Sequence, residues 1–310
     1  MAAAPRVGFT VQERHFALGV DALHALTGDL ERGAVDFAAV LDHLSFWDGT
    51  GFDAVVNAAA VAAAHPRLPV LSSVMVLPVR HPVTVARQVS SLAVLAPGRF
   101  MLGVGVGGED RHEIAAAGID PGSRGRRMDE ALGIVRGLLS GESLTWHGEF
   151  FTVDDVTVKP APTPPVPILV GGRSDQAVRR TARAGDGWLG FACSPERFAQ
   201  AVKHVAVEAE RLGRTDVAFD HGLVAWCGFG PSAEEARERL GAEMESLYKL
   251  PFTRFARYCP CGTPTEVAAQ LAEYLPSGCE RFSIIPVGRD LAHEIESVAA
   301  VRAELARAAG

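Results

Sequence analysis

The chain has 310 residues, of which 48% are apolar and 22% charged, and its formal net charge is −7. This composition supports a large buried core, and the negative charge argues against a nucleic-acid or anionic membrane partner. Apolar runs fall short of the ~20 residues of a membrane span. The first residues lack the basic and apolar regions of a secretion signal, so we expect a cytoplasmic protein. The five cysteines are odd in number and scattered, which predicts reduced thiols and no metal site.

Short apolar segments alternate with amphipathic ones along the whole chain. The predicted strands cover residues 6–11, 36–41, 69–77, 99–105, 166–171, 187–192, 217–226 and 281–287. The predicted helices cover residues 21–33, 81–96, 126–141, 174–185, 194–213, 232–249, 263–275 and 290–309. Strands buried on both faces that alternate with helices predict a parallel sheet with helical cover. Eight such units favour a closed (β/α)8 TIM barrel in one domain, residues 1–310, over an open doubly wound sheet.

Two segments interrupt this alternation. Residues 142–165 are strand-like and rich in proline, and residues 249–263 are irregular. Long loops at the carboxyl-terminal ends of barrel strands build the active sites of such folds. We therefore expect insertion segments at the carboxyl-terminal face.

The second predicted strand ends in Asp42-His43, with Trp47 four residues further on. Histidine titrates near neutral pH and is suited to proton transfer at the barrel mouth. Trp47 supplies an aromatic wall beside it. The alternative interpretation is a capping aspartate and a rim histidine without a chemical role.

The fourth predicted strand ends in a glycine-rich turn followed by acidic residues. The sequence RFMLGVGVGGEDRHE carries Gly105, Val106, Gly107, Gly108 and Glu109. Glycine lets the backbone lie against a flat or phosphorylated ligand because no Cβ intrudes. This pattern predicts a strand end that abuts a cofactor, and a plain turn is the alternative.

The fifth predicted strand runs directly into a helix through Gly171, Gly172, Arg173 and Ser174. Backbone N–H groups at a helix start, with Ser174 as the N-cap and Arg173 beside it, form an anion site. A glycine turn with an N-cap serine and no ligand is the alternative.

The order of these motifs resembles the luciferase-like monooxygenase superfamily. The matching blocks are DHL, LPxRHPxxxAxQxxxLxxLxPGRFxLGVGxG, RGRRMDEAL, a Lys-Pro segment and PxPILVGGxSxxAxRxxAxxGDGW, over roughly residues 5–190. The resemblance implies a barrel that holds a flavin or the deazaflavin coenzyme F420 at its mouth. It also implies a non-prolyl cis peptide at Ser73-Val74 against the ring, ring and ribityl contacts at 105–108, a phosphate site at 171–174, and a homodimer or higher oligomer.

The spacing DHxxxW and the Ser-Val pair at 73–74 resemble the F420-dependent sugar-phosphate dehydrogenases. This resemblance favours coenzyme F420 over FMN, with His43 as acid/base, Trp47 lining the substrate pocket and Asp42 among the cofactor-binding residues. Those enzymes place a catalytic glutamate directly after the glycines of the fourth strand. Glu109 comes one residue later here, and the resemblance implies that it fills the same catalytic role from a shifted loop.

The same enzymes carry a substrate-phosphate lysine that GWLGFACSPE lacks. A sugar phosphate is therefore disfavoured as the small-molecule substrate. An apolar pocket built from Phe46, Trp188, Phe191 and Trp226 is a further possibility, with a purely structural role for these aromatic residues as its alternative. Two other functions stay open: an FMN-dependent monooxygenase supplied by a partner flavin reductase, and a non-catalytic barrel subunit.

Overall fold

The computed structural model describes residues 4–108 and 110–309. Eight parallel strands pair in chain order, and the last pairs with the first, which closes a barrel. The barrel strands are β1 (Arg6–Val11), β2 (Phe37–Val40), β3 (Val70–Ser72), β4 (Phe100–Gly105), β5 (Ile168–Gly171), β6 (Gly187–Phe191), β7 (Gly222–Phe229) and β8 (Arg281–Val287). The predicted (β/α)8 barrel is confirmed.

Helices surround the barrel and connect its strands. They are α1 (Glu13–Phe16), α2 (Val20–Arg32), α3 (Ala54–Ala64), α4 (Pro82–Leu95), α5 (Arg111–Ala116), α6 (Arg124–Leu139), α7 (Asp175–Ala184), α8 (Pro195–Arg211), α9 (Ala233–Tyr248), α10 (Pro264–Ala272) and α11 (Leu291–Ala309). Within the described ranges, no helix is long and apolar enough to cross a membrane.

Side chains along each strand alternate between two apolar clusters. Val7, Phe100 and Trp188 face outward and pack among the helices. Leu189 and Trp226 belong to a second cluster that fills the barrel. This period of two follows from the pleat of a strand buried on both faces.

The amino-terminal end of the barrel is closed by a buried cation. Arg281 at the start of β8 is 1% exposed, pairs with Asp220 and lies over the Phe37 ring, 5.2 Å from its centroid. Burial lowers the pKa of Arg281, and Asp220 opposes that effect. A ligand therefore has access from the opposite, carboxyl-terminal end.

Helix α9 and the segment after it cover one side of the carboxyl-terminal mouth. Met244 of α9 and Phe255 of that segment join the apolar cluster inside the barrel, together with Trp226 of β7. Residues Cys261–Gly262 then add a short strand to the end of β7. The irregular segment 249–263 is thus part of the mouth.

The other interrupting segment forms an antiparallel hairpin, Leu144–His147 with Thr152–Val156. Glu130 of α6 accepts hydrogen bonds from the N–H groups of Glu149 and Phe150 in its turn. The guanidinium of Arg127 lies over the Phe151 ring, 4.8 Å from the centroid. The hairpin is therefore anchored along the first turns of α6.

Two strand predictions had wrong boundaries. The strand predicted at 69–77 is interrupted: β3 ends at Ser72, and Met75–Val76 resumes pairing with β4 after a bulge. The strand predicted at 217–226 spans Gly222–Phe229, because residues 217–221 form the connection that brings Asp220 and His221 to the barrel base. Alternation alone did not distinguish these apolar connecting residues from strand.

His221 makes the stability of the barrel sensitive to acid. Its ring is buried, Nδ1 accepts the Trp188 N–H at 3.2 Å, and Phe219 stacks on it with centroids 5.7 Å apart. Burial lowers the pKa of His221 to about 4, although Asp220 opposes the shift. The unfolded state therefore binds more protons below pH 6.5, and stability falls as the pH drops from 6.5 towards 4.

We expect the free energy of unfolding to fall by about 2 kcal/mol between pH 7 and pH 5 through His221. Urea unfolding at both pH values measures this loss. His221→Gln keeps an acceptor for Trp188 and should remove most of this pH dependence. An equal loss in that variant would assign the acid sensitivity to other groups.

Candidate active site

A histidine–carboxylate pair lies at the barrel mouth. Nδ1 of His43, just beyond β2, is 3.2 Å from Oε1 of Glu113 on α5. Glu113 is 1% exposed and also accepts the N–H groups of Leu44 and Ser45 at 2.6 and 3.4 Å. With Nδ1 donating to the carboxylate, Nε2 is the ring nitrogen left for a ligand.

The environment keeps Glu113 ionised. Burial acts to raise the pKa of its carboxyl, but the hydrogen bond and charge of His43, with the N–H groups of Leu44 and Ser45, hold the pKa below its usual value. An ionised Glu113 favours the Nδ1–H form of His43 and stabilises the charged ring when Nε2 takes a proton. Glu113 was not among the residues predicted from the sequence.

A second carboxyl group lies within electrostatic reach of His43. Glu13 begins α1 directly after β1 and is half-buried. Burial raises the pKa of Glu13, the charge of His43 opposes the shift and Asp48 adds to it. Its place two residues after a barrel strand was the signal that could have identified it.

Helix α5 also holds the loop that carries the aromatic residues. The N–H of Trp47 donates to Asp110 Oδ2 at 2.8 Å, and Asp110 caps α5 through the His112 N–H. Trp47 has φ +46° and is 38% exposed, while the buried Phe46 ring lies 4.1 Å from the His43 ring. Glu109, the predicted catalytic glutamate, lies outside the described residues.

The carboxylate of Asp42 is fully engaged in hydrogen bonds to other residues of the protein. Oδ1 accepts the Ala54 N–H at 2.8 Å, Oδ2 accepts the Val76 N–H at 2.7 Å, and Arg80 binds both oxygens. Asp42 therefore ties the histidine loop to the bulge after β3. These bonds indicate a positioning role for Asp42, which was predicted from the sequence to contact a cofactor.

The bulge after β3 presents a side chain to the centre of the mouth. The Ser73-Val74 peptide bond is cis, as the resemblance implied. A Cβ on Gly105 would lie 2.6 Å from Val74 Cγ2, and one on Gly171 would lie 2.7 Å from Val74 Cγ1. The two glycines thus leave the space that Val74 fills, a reason for glycine that the sequence did not reveal.

The bulge carries one unpartnered hydroxyl, and an open glycine turn lies beside it. Among the described residues, the buried hydroxyl of Ser73 has no hydrogen-bond partner. A Cβ on Gly108 would meet no described atom within 4 Å, whereas Gly107 has φ +86° and packs against Ile114. Val106, which lies between Gly105 and this turn, is half-buried. The turn at 107–108 therefore borders free space at the mouth.

The turn after β5 has the form of an anion site, with one difference from the prediction. The Gly172 N–H donates a hydrogen bond to the Leu189 carbonyl at 3.2 Å, and Gly172 has a φ of +130°. Ser174 caps α7 by accepting the Ala177 N–H, and Arg173 is exposed. The N–H groups available to an anion are therefore those of the first turn of α7, beyond Gly172.

The aromatic residues considered for a pocket separate into different places. Trp188 is fully buried outside the barrel against Phe198, and its indole N–H donates to the Gly172 carbonyl at 2.7 Å. A small cavity of about 10 Å³, roughly the space of one water molecule, lies between β6, β7 and α9. Its lining includes Phe191, Val224, Trp226, Met244, Phe255 and Tyr258. Phe46 instead packs on His43.

The closed (β/α)8 barrel carries the His43–Glu113 pair, the glycine turn and the start of α7 at its carboxyl-terminal mouth, which is where enzymes with this fold have their active sites. Comparison with known proteins identifies its family. The chain belongs to the luciferase-like monooxygenase family, because the sequence model of that family matches residues 9–281. It is an oxidoreductase of the kind in that superfamily that uses a flavin or F420.

Two curated relatives are F420-dependent glucose-6-phosphate dehydrogenases. The protein of Beutenbergia cavernae is 31% identical over 302 residues, covering 88% of this chain and 89% of its own. That of Kineococcus radiotolerans is 29% identical, with 92% of each chain covered. An uncharacterised protein of Mycobacterium tuberculosis is 36% identical over 211 residues, covering 67% of this chain and 72% of its own.

Solved structures share the fold at low sequence identity. An F420-dependent secondary alcohol dehydrogenase bound to an F420–acetone adduct superposes with a TM-score of 0.80 at 20% identity, covering 96% of this chain and 98% of its own. The monooxygenase RslO1 from Streptomyces bottropensis gives 0.81 at 20% identity, covering 98% and 100%. At 20% sequence identity, these structural similarities show only that the fold is shared.

Proposed function

We propose that this protein is an F420-dependent oxidoreductase that transfers a hydride between F420 and a small organic substrate. The observation that carries the proposal is the His43–Glu113 pair at the mouth, beside the Val74 bulge. The chain that carries it is 29–31% identical, over about nine-tenths of its length, to dehydrogenases named for this coenzyme.

The residues present fit a deazaflavin with a ribityl phosphate. Val74 offers an apolar support for one face of a ring, and the unpartnered Ser73 hydroxyl is free to bond a polar ring atom. The open space beside Gly108 leaves room for the ribityl chain. The first turn of α7, with Arg173, supplies N–H donors and a cation for the phosphate.

When bound, F420 would act as the hydride carrier, and the protein would orient the substrate and transfer the proton. In the oxidative direction, His43 Nε2 takes the proton of a substrate hydroxyl as hydride leaves the carbon that bears it. By accepting the Nδ1–H, Glu113 fixes the tautomer of the neutral ring in which Nε2 carries the lone pair, and it balances the ring charge after proton transfer. Phe46 packs on the His43 ring and limits the access of water to it. Trp47 is proposed to line the substrate pocket, and Glu109 is proposed to assist in catalysis.

A fluorescence titration of the purified protein with F420 and, separately, FMN tests this proposal. We expect saturable binding of F420 and much weaker binding of FMN. His43→Ala should then lower turnover by about 10²-fold or more while the affinity for F420 changes by only a few-fold. Unchanged turnover in that variant would remove His43 from the mechanism.

The opposite titration result would favour the second candidate function. Binding of FMN without F420 would indicate a monooxygenase that receives reduced FMN from a partner reductase, with His43 as its proton-transfer group. Binding of neither would favour a non-catalytic barrel subunit. Each outcome contradicts the proposed function.

We also propose that the protein is a homodimer. Large apolar side chains are exposed together around the start of α2, the loop after β2 and the start of α3: Leu18, Val20, Leu44, Phe52 and Val56 are 37–70% exposed. The Phe16 and Phe52 rings, 5.8 Å apart, join the two parts of this surface. An apolar patch of this kind marks an interface. Light scattering of the wild type and Val56→Glu tests it, and a monomeric wild type would contradict it.

A further inference from the structure

We infer that a groove on the outside of the barrel, between α6, α7 and α8, is a binding site for a small polyanion, a molecule with two or more phosphate or carboxylate groups. The groove has a volume of about 170 Å³, many times the space of one water molecule. Its charged lining residues are Asp129, Arg179, Arg180, Arg183, Glu208 and Arg211. The inference concerns a site apart from the barrel mouth and does not rest on the proposed function.

Helix α7 supplies three of the four arginines in this polyanion groove. Arg179, Arg180 and Arg183 recur at intervals of three and four residues, so they lie on one face of the helix. The buried Ala177 and Val178 belong to its opposite face, which packs towards the barrel. The amphipathic pattern of α7 therefore gathers guanidinium groups along the groove.

The lining carries more positive than negative charge. Four arginines and two carboxylates leave an excess of two positive charges among the described lining residues, although the whole chain has a net charge of −7. The single carboxylate of Asp129 pairs with both Arg180, at 2.8 Å, and Arg183. Like charges gathered in one groove repel one another, so an anion bound among them gains favourable electrostatic energy.

Arginine N–H groups in the groove remain available to a ligand. Arg180 is 8% exposed, and its Nε and Nη2 atoms are held by Asp129 at 2.8 Å and by the Gly125 carbonyl at 3.0 Å. Its Nη1 forms no hydrogen bond to a described residue, and neither does the exposed Arg179 side chain. Guanidinium groups bind phosphate and carboxylate groups through paired hydrogen bonds. A fixed arginine beside an uncommitted one is suited to that role.

The groove is distinct from the phosphate site proposed at the start of α7. Its described lining contains no residue of the segment 171–174. Arg197, which lies near that segment, binds Asp175 at 2.8 Å and the Arg173 carbonyl at 3.2 Å. The polyanion groove thus uses the outer face of α7, and the cofactor is proposed to use its first turn.

Isothermal titration calorimetry of the full-length protein at low ionic strength tests the inference, with pyrophosphate and, separately, citrate as the probes. We expect saturable binding at one site per chain. A preference for pyrophosphate would identify a phosphorylated ligand, and a preference for citrate would identify a polycarboxylate. Binding of neither anion would overturn the inference.

An arginine double variant locates the site. Arg179→Ala/Arg183→Ala should weaken the binding by about 10²-fold, because two charge-assisted contacts are lost. Arg289→Ala/Arg307→Ala is the matched control, since it removes two exposed arginines that pair with acids outside the groove, and it should keep the wild-type affinity. Equal losses in the two double variants would reveal a general effect of net charge and overturn the inference.

Two single variants test the sign of the effect and the place of binding. Glu208→Gln removes a carboxylate that pairs with Arg211 at 3.0 Å, so the affinity should rise by about threefold. Arg173→Ala alters the proposed cofactor phosphate site and should leave the affinity unchanged. Loss of binding in Arg173→Ala, with wild-type binding in Arg179→Ala/Arg183→Ala, would place the anion at the start of α7 and overturn the inference. No titration contains F420, so these results are independent of the proposed function.

Discussion

Glu113→Gln should lower turnover by about 10²-fold while the affinity for F420 stays within a few-fold. The amide keeps the volume and a carbonyl oxygen, but it cannot balance the charge on His43 when Nε2 takes a proton. It can also present an N–H donor to Nδ1, which would turn the imidazole to the wrong tautomer. Because Glu113 is buried against a half-buried histidine, water has little access to the site and cannot take over the hydrogen bond and charge of the lost carboxylate.

The measurement is kcat and KM across pH, with circular dichroism to verify folding. A positioning role predicts a lower kcat, an altered pH profile and a nearly unchanged KM, whereas mere destabilisation would lower the amount of folded enzyme and leave kcat per folded molecule intact. Asp154→Asn is the matched control, because it removes a carboxylate that pairs with His147 on the exposed hairpin. Wild-type kcat in Glu113→Gln would show that His43 needs no orienting partner.

The barrel was predictable because its determinants are local. Each strand is a short apolar run, and each following helix has a polar face, so eight repeats define the closed sheet. The ends of the strands then locate the mouth, which is how His43, the turn at 107–108 and the start of α7 could be chosen from the sequence. Boundaries were less certain where apolar residues also belong to connections, as before β7.

The partner of His43 was not predictable, because it comes from a separate element. Glu113 lies 70 residues away on a helix of six residues, and nothing in RHEIAA distinguishes this glutamate from an exposed one. The resemblance to the F420-dependent sugar-phosphate dehydrogenases assigned the acidic role to Glu109, which follows the glycines of the fourth strand. Asp42 likewise could not be told apart from a ligand-binding residue until its bonds to Arg80 and Val76 were known.

The glycines illustrate a further limit of sequence reasoning. At Gly105 and Gly171 the sequence predicts close approach of a ligand, and the structure places a protein side chain there instead. Val74, brought between the two strand ends by the bulge, occupies the space that two Cβ atoms would need. A glycine pattern therefore records that something lies close to the backbone, without saying whether it is ligand or protein.

This arrangement makes a second strong prediction, for Gly171→Ala. The new Cβ would lie 2.7 Å from Val74 Cγ1, well inside van der Waals contact, and it would push Val74 towards the space proposed for the F420 ring. We expect the affinity for F420 to fall by about 10²-fold or more, measured by fluorescence titration of protein verified as folded.

The double variant Gly171→Ala/Val74→Ala decides the cause of this loss. Removing the two Val74 methyl groups removes the clash, so the double variant should regain most of the affinity, to the level of Val74→Ala alone. Gly28→Ala is the control for the same change elsewhere, since its Cβ would meet only the flexible Arg32 guanidinium on α2. If the double variant binds F420 no better than Gly171→Ala, the glycine serves direct contact with the cofactor, and Val74 is not the residue that requires it.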